Sequence, residues 1–185
     1  MDADAMYYQR FLDGDMSGLE ELVRLHSDPL CAFINSIVHS SETAEDLMED
    51  AFAELLSKRH RFRGDAAFRT YLFRIGRNKA LNYIRQQGRV HAVSLDSAEP
   101  LTANILPLEE QLCRDERHRL ILRAMGRLPA DYQTILYLLY FEELSYEASA
   151  RIMKKTPKQI KNLAYRARKA LKGLLEQEGL SHEDL

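Results

Sequence analysis

Residues 145–175, SYEASARIMKKTPKQIKNLAYRARKALKGLL, constrain this chain more than any other stretch. Two short helical patterns meet there at Lys155-Thr156-Pro157. The second places Ile160, Ala164, Ala167 and Leu171 at i, i+4, i+7 and i+11, one apolar stripe of a 3.6-residue period. Thr156 before Pro157 is a start signal: a hydroxyl to cap the first turn, then a proline whose missing N–H is not needed there. The opposite face carries Lys158, Gln159, Asn162, Tyr165, Arg166 and Lys169, flanked by Lys161, Arg168 and Lys172. Nine Lys and Arg stand against a single acid, Glu147. A helix-turn-helix that reads DNA needs this layout, with a first helix to brace and a second whose N-terminal residues reach base edges in the major groove. A basic, solvated face on an ordinary helical hairpin gives the same pattern, so the stretch alone leaves both readings open.

The rest of the composition points the same way. Five prolines and eight glycines in 185 residues interrupt little, and 45% apolar residues suffice for a core, so an all-α fold is expected. The length allows one or two domains. Cys31 and Cys113 lie far apart with no metal-ligand spacing, which argues against a disulfide framework or a zinc site. No apolar run approaches the roughly 18 residues of a membrane span. The acidic N-terminus lacks an apolar signal core, so a cytoplasmic protein without membrane insertion is expected. The histidines (His26, His39, His60, His91, His118, His182) are scattered, and no phosphate loop or dinucleotide fingerprint occurs. Neither an enzyme nor a cofactor is expected.

Net charge is only −2, yet it is sorted along the chain. Before Lys58 the acids Asp2, Asp4, Asp13, Asp15, Glu20, Glu21, Asp28, Glu42, Glu45, Asp46, Glu49, Asp50 and Glu54 face only Arg10 and Arg24. From Lys58 to Arg89 ten bases face Asp65 alone. An acidic front and two basic zones attract different partners.

Residues 6–35 fit two helices, broken around Asp13-Gly14-Asp15 and again around Ser27-Asp28-Pro29. Residues 41–57 form the cleanest amphipathic helix, with Ala44, Leu47, Met48, Ala51, Phe52, Leu55 and Leu56 at 3,4 spacing, capped by Ser40 or Ser41. Its outer side presents Glu42, Glu45, Asp46, Glu49 and Asp50. Like charges at i, i+4 weaken a helix by a few tenths of a kcal/mol. Such a stripe suits a basic partner, or is a merely soluble face. The basic segment 58–65 precedes a helix over 67–86, with Phe68, Tyr71, Leu72, Ile75 and Tyr83 on one face and Phe73, Ala80 and Ile84 on another. Arg74, Asn78 and Arg85 line the polar strip between them. Residues 87–110 lose all period and read as a linker. Helices are expected again over 112–127, with Leu120, Ile121, Ala124 and Met125 inward, and over 129–141, with Tyr132, Ile135, Leu136 and Leu139 inward.

The segments TAEDLMEDAFAELL and FRTYLFRIGRNKALNYIRQQGR, then a linker, then LPADYQTILYLLYFEELSYEASARIM with YRARKAL, resemble a bacterial RNA polymerase sigma factor of the extracytoplasmic-function (ECF) type. The resemblance covers residues 13–175 in order. It implies two small helical domains joined by a flexible linker: 1–88 for core polymerase and the −10 element, linker 89–111, 112–178 for the −35 element through the helix-turn-helix, and a tail 179–185. Glu45, Asp46, Leu47 and Glu49 match the surface that docks on core polymerase. The loop His60 to Ala66, with His60, Arg61 and Arg63, and the helix face Arg74, Asn78 and Arg85 match the reader of the −10 element. There the loop would hold a flipped base, whose unstacking costs a few kcal/mol. In the last helix Lys158, Gln159 and Asn162 fall where base edges are read, with Lys161, Arg166 and Arg168 on phosphates. Core RNA polymerase, promoter DNA and an anti-sigma protein are the implied partners. Three positions depart from the family pattern: Tyr71 for tryptophan, Ala148-Ser149 for Glu-Ile, and Lys154 for a turn glycine. The rival reading is a helix-turn-helix regulator acting without being a polymerase subunit, which predicts a palindromic operator.

Overall fold

The chain's first turn is made by Gly14, whose φ of +95° is rarely open to a residue with a side chain. It separates helix α1 (Ala3–Leu12) from α2 (Met16–Val38). The structure, a computed structural model, describes residues 3–93 and 116–177. Asp15 caps α2: its carboxylate accepts from the Ser17 N–H at 3.0 Å and pairs with Arg10 at 2.8 Å. The two helices touch backbone to backbone at Gly18, where a Cβ would stand 2.3 Å from the Tyr7 carbonyl oxygen.

The break expected at Ser27-Asp28-Pro29 does not occur, because α2 runs through Pro29. A proline inside a helix removes a hydrogen bond and costs about 3 kcal/mol. Leu22, Leu30, Phe33 and Ile34, on both sides of it, are fully buried. At about 1.5–3 kcal/mol for each such side chain, burial outweighs the proline. Helix α2 packs against α1, α3 (Ser41–Ser57) and α4 (Phe68–Val93), so it is the hub of the first unit.

Helix α3 has the expected bounds, with Ser40 accepting from the Thr43 N–H at 3.3 Å. Its buried stripe is narrower than the spacing suggests. Ala44, Ala51, Phe52 and Leu55 are buried, Leu47 and Met48 half-buried, and Leu56 exposed. Helix α4 buries Phe68, Tyr71, Leu72, Phe73, Ile75 and Ala80 on two sides, as expected of a helix between neighbours, while Ile84 is exposed. At Gly76 a Cβ would meet the Leu30 side chain at 2.8 Å, so α4 crosses α2 closely there. The helix continues to Val93, past the expected linker start. One glycine in a helix interior costs only about 1 kcal/mol, and Gly88 does not stop it. The remainder of the expected linker, residues 112–115 of the next helix, and the tail 179–185 lie outside the described residues.

The chain folds as two compact units, and the second holds α5 (Glu116–Gly126), α6 (Ala130–Tyr140), α7 (Tyr146–Met153) and α8 (Pro157–Gln177). Helix α8 packs against the other three. In α5 the inward face is centred on Leu122, Ala124 and Met125, leaving Leu120 and Ile121 half-buried. In α6 Thr134, Ile135, Leu136, Tyr137 and Leu138 are all buried, and Leu139 and Tyr132 only in part. That helix is covered on more sides than a single stripe implies, since both α7 and α8 lie against it. No helix of the described residues is long and apolar enough to cross a membrane.

Candidate nucleic-acid interface

The helix-turn-helix of the second unit is locked at each of its joints. Ser145 caps α7 by accepting from the Ala148 N–H at 3.1 Å. At the turn, Lys154 takes the left-handed conformation, φ 54° and ψ 45°, which closes α7. Here the expected glycine position is filled by lysine without loss of the turn. Thr156 then caps α8 reciprocally: its hydroxyl accepts from the Gln159 N–H at 3.2 Å, and the Gln159 side-chain oxygen accepts from the Thr156 N–H at 2.8 Å. This capping box satisfies two backbone donors at the end that would face DNA.

Ile160, Leu163, Ala164, Ala167 and Leu175 seat α8 on its unit, with Leu171 half-buried. The seating leaves Lys158, Gln159, Lys161, Asn162, Arg166 and Arg168 exposed, and Tyr165 is 64% exposed among them. Neighbouring helices hold two of these side chains. The Lys161 ammonium lies 5.9 Å from the centre of the Tyr146 ring of α7, and Arg168 donates to the Tyr140 hydroxyl of α6 at 3.3 Å. The box also alters what Gln159 offers. With its oxygen engaged at the cap, the amide N–H groups are what it presents outward. Ser149, at a normally apolar place, is fully buried, and its hydroxyl has no hydrogen-bond partner among the described residues.

In the first unit a 3-10 turn, Arg59–Arg61, opens a loop that exposes His60, Arg61 and Arg63. Gly64, with φ of +75°, bends it back toward α4. On α4, Arg74 and Arg85 are exposed and Asn78 half-buried. Loop and helix meet at Tyr71: the Arg74 guanidinium lies 5.3 Å from its ring centre, and both Arg74 and Arg61 act on its hydroxyl. Burial raises the Tyr71 pKa, and the two guanidinium charges oppose the rise. Arg61 and Arg74 thus both lie within electrostatic reach of Tyr71. Arg85 lies on α4 eleven residues on from Arg74, roughly 16 Å along the axis.

The acidic side of α3 is sorted by α4. Lys79 lies 3.5 Å from Glu54 and 3.8 Å from Asp50, and Lys58 bonds Glu54 at 3.0 Å. That hydrogen bond from Lys58 lowers the Glu54 pKa. Glu45, Asp46 and Glu49, nearer the N-terminus of α3, remain exposed, with Leu47 half-buried beside them.

Two features of this surface escape the sequence pattern. Phe62 stands alone in a basic run, yet it is half-buried, with ring centres 5.0 Å from Tyr8, 5.1 Å from Tyr71 and 5.8 Å from Phe68. Arg77 reads as one more surface base and is buried. A lone aromatic in a charged loop is the one signal that points to the first; nothing local betrays the second. Among the described residues no group of His, Cys, Asp or Glu has the makings of a metal site.

A family profile described as Sigma-70 region 2 matches residues 22–90, and one described as Sigma-70, region 4 matches residues 118–171. The RNA polymerase sigma-H factor of Pseudomonas aeruginosa is 30% identical over 181 residues, 94% of this chain and 94% of that protein. The ECF RNA polymerase sigma-E factor of Escherichia coli K12 is 29% identical over 176 residues, 91% of this chain and 92% of that one. Among solved structures, sigma factor RpoE in complex with the anti-sigma factor NepR from Bartonella quintana superposes with a TM-score of 0.66 at 26% identity, over 85% of this chain and 96% of that one. CnrH, solved with the cytosolic domain of CnrY, is alike in fold, with a TM-score of 0.70 at 21% identity over 95% and 99% of the two chains.

Proposed function

The chain belongs to the ECF group of sigma-70-type RNA polymerase sigma factors, and from that premise we propose how its surfaces divide the work of initiation. It is a transcription initiation factor, not an enzyme: it binds core RNA polymerase, brings it to promoters with −10 and −35 elements, and helps to open them. A regulator acting outside polymerase is not favoured, since both sigma regions are present in order.

Glu45, Asp46, Leu47 and Glu49 are the core-polymerase contact. Their support is a capped helix on which Glu45, Asp46 and Glu49 are exposed and Leu47 half-buried, with the neighbouring acids Asp50 and Glu54 already occupied by Lys79. His60, Arg61, Arg63, Arg74, Asn78 and Arg85 are the −10 reader; Lys158, Gln159, Lys161, Asn162, Arg166 and Arg168 are the −35 reader. The single observation that carries the second assignment is the double cap at Thr156 and Gln159, which fixes the start of α8 while its exposed face stays basic. The domains divide as 1–88, linker 89–111, 112–178 and tail 179–185, with the last turn of α4, to Val93, running into the start of the linker. The working compartment is the cytoplasm, where core polymerase is. An anti-sigma protein, of the kind bound to the Bartonella relative, would act by covering these faces.

The test is footprinting of promoter fragments selected with this chain and core enzyme. Protection of two separated elements of unlike sequence, dependent on core, is expected. A symmetric footprint formed by the chain alone would overturn the reading.

A further inference from the structure

The family match to region 2 begins at residue 22, so helix α1 lies before it. Yet α1 reaches the loop that carries His60, Arg61 and Arg63. Tyr8 is only 3% exposed, and its hydroxyl donates to the carbonyl oxygen of Arg59, at the first residue of the 3-10 turn. Its ring packs edge-on against Phe62 at 5.0 Å and tilted on Phe68 at 5.4 Å. One side chain therefore holds both the backbone at the loop's start and the aromatic anchor at its middle. Within the loop the Arg61 N–H donates to the Lys58 carbonyl oxygen at 2.9 Å and closes the turn. Residues 59–61 and 63–65 are exposed.

The other end of this connection is rigid. Helix α1 is held to α2 by the backbone contact at Gly18 and the Arg10–Asp15 pair. Phe11 beside Tyr8 is fully buried, with ring centres 5.9 Å apart. Burial pushes the Tyr8 pKa up to about 12, so the hydroxyl stays a donor at any working pH.

We propose that Tyr8 is a positioning residue for the −10 reader: through the Arg59 carbonyl and Phe62 it fixes the geometry in which the loop presents Arg61 and Arg63 to opened DNA. This rests on the loop's reading as part of the −10 reader. Tyr8 touches no DNA in this account. It preorganises the loop, so that the ordering cost is met before the flipped base arrives.

Tyr8→Phe tests it, because the variant keeps the ring among Phe62 and Phe68 and removes only the hydroxyl. Opening is followed as fluorescence of 2-aminopurine placed in the −10 element, using full-length chain with core polymerase; melting temperature and core affinity are measured beside it. The opening rate should fall about 2- to 10-fold, the range that loss of one hydrogen bond allows. Core affinity should stay within twofold, while the first unit should melt a few degrees lower, as loss of one buried hydrogen bond requires. Trypsin should cut after Arg59 or Arg61 faster in the variant. Opening and cleavage like those of the parent would show that the hydroxyl positions nothing. Equal losses of core affinity and opening would make Tyr8 merely structural. Arg61→Ala and Arg63→Ala separate the two levels. If they slow opening and Tyr8→Phe does not, the positioning claim alone falls; if they also open normally, the loop's reading falls and takes the claim with it.

Discussion

Gln159 caps α8 and is proposed to read a base, and a pair of substitutions can separate the two. Its side-chain oxygen accepts from the Thr156 N–H at 2.8 Å while its amide hydrogens face outward. Gln159→Ala removes both the cap bond and the amide. Loss of the bond should cost the second unit about 0.5–1.5 kcal/mol, since Thr156 still caps from its side. Gln159→Glu keeps an acceptor at the third helical position and adds a negative charge at the positive end of α8, worth about 0.3–1 kcal/mol in its favour. Its melting, followed by circular dichroism, should match or exceed that of the parent. On promoter DNA the order is different, because the carboxylate donates nothing and lies near phosphates. Holoenzyme carrying Gln159→Glu should bind a −35-containing duplex about 5- to 150-fold more weakly, the range of 1–3 kcal/mol for a base contact. If Gln159→Glu melts as low as Gln159→Ala, the reciprocal cap is not what starts α8. If it binds DNA like the parent, Gln159 reads no base. The structure also argues against adenine read by both ends of this amide, since the oxygen would have to leave the cap.

Charge reversal at the α3 surface, Glu45→Lys with Asp46→Lys, should weaken core binding at least tenfold in a fluorescence titration, with melting little changed because both side chains are exposed. Parent-like affinity would remove that contact from the account. Gly18→Ala places a Cβ 2.3 Å from the Tyr7 carbonyl oxygen and 2.8 Å from the Phe11 nitrogen, both backbone. It should cost the first unit about 1–3 kcal/mol in a denaturant melt; a neutral result would mean that α1 and α2 are not in backbone contact. Lys154→Gly relieves a left-handed φ of 54° and should stabilise the second unit by up to about 1 kcal/mol without altering DNA affinity. Destabilisation would put the turn in another conformation.

What can be read from the residues, and what cannot, follows from the range of the forces involved. Caps and stripes are local, so Ser40, Ser145 and Thr156 announce their helices and the Ile160–Ala164–Ala167 stripe its buried face. Pro29 misleads because its local penalty is overridden by burial of Leu22, Leu30 and Phe33 against other helices, which no window around residue 29 contains. The same holds for α6, whose buried run 134–138 reflects neighbours on several sides. The exposed basic residues of the candidate interface are legible as a set. Their supports are not. Tyr8 and Phe62 are 54 residues apart in sequence yet pack ring to ring, and the Tyr140–Arg168 bond spans 28 residues. Such contacts exist only once the helices are assembled. Gln159 shows the same limit at short range: residue type suggests a base reader, and only geometry reveals the cap.

The central claim is that two basic surfaces on one chain, joined by core polymerase, specify a start site. It is tested most directly by run-off transcription with purified core enzyme on a pool of genomic fragments, with and without this chain, and mapping of the 5′ ends. New, discrete starts that require the chain are expected, each preceded by two unlike elements at a fixed spacing. Those starts should be lost when either element is scrambled. Starts unchanged by adding the chain, or set by a single palindromic element, would contradict it.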